Sequence, residues 1–163
     1  MLRLALYVVL LSNIALGQAP LAENTKKDIV SLQNAVNEAS SSVVPGFGVL
    51  QVAKATYLDG YGVVVNMELA LEPPRNPFSG LKTPAEIRTI VTQRRKEVTD
   101  RLSSLLKEKV PLLESIGPSE SVAIIVHLLN TNPADLPDLP SQLVLSVKKQ
   151  DAATTRISIR EFK

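Results

Sequence analysis

The chain has 163 residues, 45% of them hydrophobic, which is enough for one domain with its own core. It has no cysteine, which excludes disulfides, thiol catalysis and cysteine-ligated metal. Eighteen basic and 16 acidic residues give a net charge of +2, and aromatic content is 4% with no tryptophan. Neither a strong positive field nor a stacking platform for bases follows from that composition, so nucleic acid is not an expected partner.

The first 17 residues read as an export signal. Arg3 supplies the basic start, an apolar run follows from 4 to 17 broken only by Ser12 and Asn13, and Ala15 and Gly17 are small where a signal peptidase reads. The run is shorter than the roughly 20 residues of a membrane-spanning helix, so no spanning segment is expected after cleavage. Cleavage after Gly17 leaves residues 18–163 as a single domain with 17 basic and 16 acidic groups. The product is expected in a periplasm or outside the cell.

Next, Ile29, Leu32, Val36 and Ala39 recur at helical spacing, predicting a helix over 25–40. Asn24 or Thr25 is the expected cap, and the run Ser40-Ser41-Ser42 the expected end. The stretch YLDGYGVVV, from Tyr57, is the most motif-like in the chain. Asp59-Gly60 is the favoured dipeptide for a type I′ hairpin turn. Pairing outward from those two residues sets Leu58 against Tyr61, Thr56 against Val63, Lys54 against Val65 and Val52 against Met67 on one apolar face. Gly62 then falls opposite Tyr57. A phosphate-binding loop would need its glycines to open a helix, and these lead into a strand, as do Gly46 and Gly48.

The prolines at 73, 74 and 77 mark a loop. Thr83-Pro84-Ala85-Glu86 then has the form of a capping box with proline in the first helical position. Ile87, Val91, Val98, Leu102, Leu105 and Leu106 form one stripe, continued by Leu113 and Ile116, with Gly117-Pro118 as the stop and Pro111 as a kink or restart. The β-branched run 121–129 predicts a buried central strand, 130–142 a Pro-rich connection, and 143–148 a further strand. Residues 151–163 fit either a short helix or an edge strand at 156–159. The expected fold class is α+β: an antiparallel sheet of about four strands with helices on one face.

Few residues offer chemistry. His127 is the only histidine, so it cannot build a multi-histidine metal site. It is expected to be partly buried on a strand face with Ala123, Ile125 and Leu129. Asp135 and Asp138 are too few, and lack the turn glycine, for a calcium loop. Glu68 is expected on the solvated sheet face beside Asn66 and Gln51. On the long helix Arg94 and Arg95 flank the apolar stripe. Long side chains in such places snorkel over a sheet edge, or they line a groove between helix and sheet that holds a carboxylate or phosphate. Arg94, Arg95 and Glu68 are therefore the candidate ligand-binding residues.

No catalytic constellation and no cofactor is implied. The expected function is a non-enzymatic protein-interaction module of the cell envelope or secretome, with another envelope protein as its partner. The alternatives are a carrier of an anionic or amphipathic small molecule near Arg94 and Arg95, and a hydrolase using His127.

Overall fold

The computed structural model describes residues 21–44, 46–73 and 82–163. Residues 1–17, where an export signal is expected, and most of the expected loop at 72–80 lie outside the described residues. The elements run α1 (Glu23–Val43), β1 (Val49–Leu58), β2 (Gly62–Ala70), α2 (Pro84–Lys109), β3 (Ser121–Leu129), β4 (Gln142–Lys148) and β5 (Ser158–Phe162). The class is α+β, and the strands form one five-stranded sheet in the order β1-β2-β3-β4-β5.

The sheet is mixed, not antiparallel. β2 and β3 pair in parallel while the other neighbours pair antiparallel. The cause is α2: its 26 residues carry the chain back about 39 Å, at about 1.5 Å per residue, to the end of the sheet where β2 began. A strand entered from that end and laid beside β2 must run parallel to it. The fifth strand comes from the ambiguous tail, which forms a short 3₁₀ turn at Lys149–Asp151 and then the edge strand.

One face of the sheet carries the core. Val63, Val65, Met67 and Leu69 of β2 align with Val122, Ile124, Val126 and Leu128 of β3, and Leu143, Leu145 and Val147 of β4 continue the layer. Leu32 and Val36 of α1 and Val98, Leu102 and Leu106 of α2 close over it. The long helix follows its sequence signals closely. Thr83 accepts from the Glu86 amide and Glu86 Oε2 accepts from the Thr83 amide at 2.7 Å, completing the capping box. These bonds hold the Glu86 carboxyl below its ordinary range. Pro111 falls in a 3₁₀ turn, Val110–Leu112, just past the helix end.

The hairpin register is shifted from the expected one. Leu58 pairs with Gly62, Tyr57 with Val63 and Ala55 with Val65. Within the hairpin only Gly60 and Gly62 have positive φ, at +74° and +117°, so Asp59 cannot supply the first residue of a type I′ turn. The loop takes three residues, and that one-residue slip turns over β1 from Lys54 to Leu58; irregularities between Val49 and Lys54 then return Gln51 to its place opposite Glu68. Ala53, Ala55 and Tyr57 face the helices, while Leu50 and Val52 are 45% and 57% exposed. Gly62 serves the backbone in a second way: a Cβ there would meet the Ser121 carbonyl of β3 at 2.2 Å. Its opposite number is Leu58 rather than Tyr57.

α1 also departs from expectation. It starts at Glu23 with Ala22 as an uncapped N-cap residue, and it continues through the serines to Val43. Ser40 is buried and its hydroxyl donates to Met67 Sδ at 3.3 Å, so burial against β2 overrides the local tendency of serine to end a helix. The connection between α2 and β3 is pinned from three sides. Asp28 of α1 accepts from the Ser115 amide and hydroxyl, Lys149 Nζ donates to the Leu113 and Ile116 carbonyls, and Glu120 accepts from the Tyr57 hydroxyl and the Gly117 amide.

Candidate functional site beside the Pro-rich loop

The three candidate ligand-binding residues are not brought together. Arg94 reaches back over the end of β2, where its Nη1 donates to the Leu71 carbonyl at 3.0 Å. Arg95, 100° further round the helix, turns to the other side and approaches Glu161 of β5 at 3.8 Å. Glu68 pairs in register with Gln51 and His127, on the sheet face opposite the helices. The two arginines thus have separate surroundings, and Glu68 shares neither.

Arg95 lines a cleft of about 180 Å³ between α2 and the β3–β4 connection. Arg88, Val91, Thr92 and Arg95 form the helix wall, and residues 136–139 form the other. Spacings of three, four and seven put those four helix residues on one face. The opposite wall is set by several contacts. Leu136 is buried in the core, Asn130 Nδ2 donates to the Leu136 carbonyl at 2.9 Å, and Asn132 donates to Asp135. Glu72 accepts from the amide and hydroxyl of Thr131 at 2.9 and 2.7 Å. Asp135 is therefore occupied within the loop.

The cleft's two guanidiniums are weakly engaged by the described residues. Arg95 has only the 3.8 Å approach to Glu161, and Arg88 only a 3.4 Å bond to Pro84 of its own helix. Asp138, on the loop wall, is paired with Lys163 at 3.4 Å. The cleft can therefore offer planar donor forks above an apolar floor of Val91, Leu136 and Leu139, a setting suited to a carboxylate. Arg88 and Asp138 were legible as members only through the seven-residue spacing from Arg95 and through the loop's position, and the second of these is not local in sequence.

Beside the cleft runs β5, whose five residues are all exposed. Ile159 and Glu161 share the helix-side face with Leu145 and Leu143, and Ser158, Arg160 and Phe162 share the open face with Ser146, Val144 and Gln142. That open face carries Val64, Ala123, Ile125 and Val144 across its middle, flanked by Lys54 and Arg160. His127 lies on it, exposed rather than partly buried, because no helix covers this side among the described residues. Its row across the sheet is Gln51, Glu68, His127, Gln142 and Phe162, without a serine or threonine.

Among the described residues no three His, Asp or Glu side chains gather as metal ligands, and no helix is long and apolar enough to cross a membrane. Comparison with family models, with curated proteins and with solved structures found no match to this chain.

Proposed function

We propose that this chain is exported by its first 17 residues and acts as a non-enzymatic interaction module that binds another protein of the cell envelope or secretome. The observation that supports this most is the one-sided sheet. Its core face is closed by two helices, whereas the opposite face keeps Val64, Ile125 and Val144 only partly covered, and β5 has an unused edge among the described residues. Partly covered aliphatic side chains flanked by charges are the usual makings of a protein-binding surface.

The test is photo-crosslinking in the producing cell, with a benzophenone amino acid placed at Ile125, Val144 or Ile159 and, as control, at Val30 on the exposed side of α1. A discrete protein adduct from any of the first three positions, absent at Val30, is the expected result. No adduct from any of them, with an unaccompanied monomer in native mass spectrometry, overturns the reading. N-terminal sequencing of the extracytoplasmic protein is expected to begin at Gln18.

A second reading draws support from the cleft itself. Arg88 and Arg95 over an apolar floor suit a small anionic ligand, as a carrier would need. In that reading Arg95 stays in the site, Arg94 serves the helix–sheet contact, and Glu68 contributes nothing. Calorimetric titration with succinate or inorganic phosphate decides it: heat that vanishes in the Arg88→Ala/Arg95→Ala protein supports a carrier, and no heat removes it.

A further inference from the structure

We infer that the β5 edge, together with the Arg88–Arg95 cleft beside it, is the docking site for an extended segment of a partner protein that carries an acidic residue, added to the sheet as a sixth strand. The inference rests on the interaction-module reading and names its partner's chemistry.

The first observation is that the two edges of the sheet are treated differently. At β1 the outward amides of Ala53 and Ala55 are already bonded, to Asn37 Oδ1 at 2.6 Å and Gln33 Oε1 at 3.1 Å, both from α1. An incoming strand finds those donors used. At β5, alternate backbone groups point away from β4, and no described element lies beyond them. The strand contains no proline and pairs with β4 in unbroken register over five residues, so nothing in its geometry prevents a further strand from joining.

The second observation is charge. Around this edge stand Arg88, Arg95, Arg160 and Lys163, against Glu161 and Asp138. Asp138 is spent on Lys163, Glu161 is only loosely held by Arg95, and Arg160 has no ion pair among the described residues. The margin therefore carries a positive surplus beside an edge whose outward backbone groups have no partner among the described residues. The cleft's 180 Å³ is about six water volumes, room for one carboxylate side chain that both guanidiniums can grip.

The same charges disfavour a second copy as the occupant. In an antiparallel pair of β5 strands that preserves the faces of the sheet, the one register that uses all five residues sets Arg160 against Arg160. Like charges directly opposite destabilise such pairs. A foreign strand with an acid facing this margin has no such conflict.

The experiment selects a phage-displayed library of random nonapeptides against the full mature protein, followed by amide exchange of the complexes. Enriched peptides are expected to share an acidic position and to protect alternate amides of 158–162. Replacing the acid by its amide, or Arg88 and Arg95 by Ala, is expected to weaken binding at least tenfold. Peptides that protect instead the open face around Ile125 overturn this site and leave the interaction module standing. Peptides without acidic preference overturn the charge argument, and with it the site. Protection of β5 amides in concentrated protein without peptide assigns the edge to a second copy and also overturns it. No enrichment at all, with no adduct in the crosslinking experiment, removes both readings together.

Discussion

The sheet has two edges built from similar material and finished differently. β1 exposes Leu50 and Val52 on its open side, yet its backbone edge is closed by two amide side chains one helical turn apart on α1. β5 is shorter and more charged, and among the described residues nothing covers its backbone edge. Edge strands invite pairing with other chains, and covering them with a helix or with charge are two ways of preventing it. Here the more hydrophobic edge is protected by hydrogen bonds and the more polar one only by charge. Hydrogen-bonded closure blocks every strand, whereas charge blocks some strands and admits others. That difference makes β5 the selective edge.

Four perturbations break or sharpen this contrast. The largest effect is expected from Leu32→Ala, which removes a buried anchor of α1 and should cost about 3 kcal/mol in chemical denaturation. Exchange at Ala53 and Ala55 should accelerate with it, since the amides lose the helix that carries their partners. Replacing Asn37 and Gln33 together by Ala uncaps β1 without undocking α1, at about 1 kcal/mol for each lost bond. Concentration-dependent association through β1, measured by sedentation-equilibrium centrifugation, should then appear in the variant and not in the parent. If stability and association both stay unchanged, the amide caps do not close that edge.

A pH effect ties β1 to the residue that leads into β3. Tyr57 donates to Glu120, which raises the phenol's pKa above its ordinary 10.0, reinforced by burial and by the carboxylate's charge. The folded state therefore holds that proton more tightly than the unfolded chain does. The contribution is complete below about pH 10 and is lost as the pH climbs through the raised value. Tyr57→Phe should flatten the fall of the urea midpoint above pH 10 and cost about 1 kcal/mol at neutrality. The smallest effect belongs to β5: Ile159→Thr, at an exposed edge position, should change stability by less than about 0.5 kcal/mol. A larger loss would mean that β5 is integral to the core rather than a free margin.

Local chemistry and periodicity determined part of this protein by sequence alone. The capping box at Thr83 and Glu86, the stripe from Val91 to Leu106, the β3 limits at Ser121 and Leu129, and the glycines that serve a hairpin all depend on residues within one or two turns of each other. Tertiary structure decided the remainder. Whether Leu50 and Val52 or Ala53 and Ala55 face the core turns on a single loop residue and on the register shifts between Val49 and Lys54, because strand faces alternate and a slip of one inverts them. Parallel pairing of β2 with β3 follows from where α2 lands, not from any residue within the strands. The meeting of Arg88 and Arg95 with the later loop at 136–139, and the capping of β1 by Gln33 and Asn37, exist only once α1 and α2 are packed over the sheet. Contacts between residues so far apart in the chain leave no periodic trace in it, and they are what separates the closed edge from the open one.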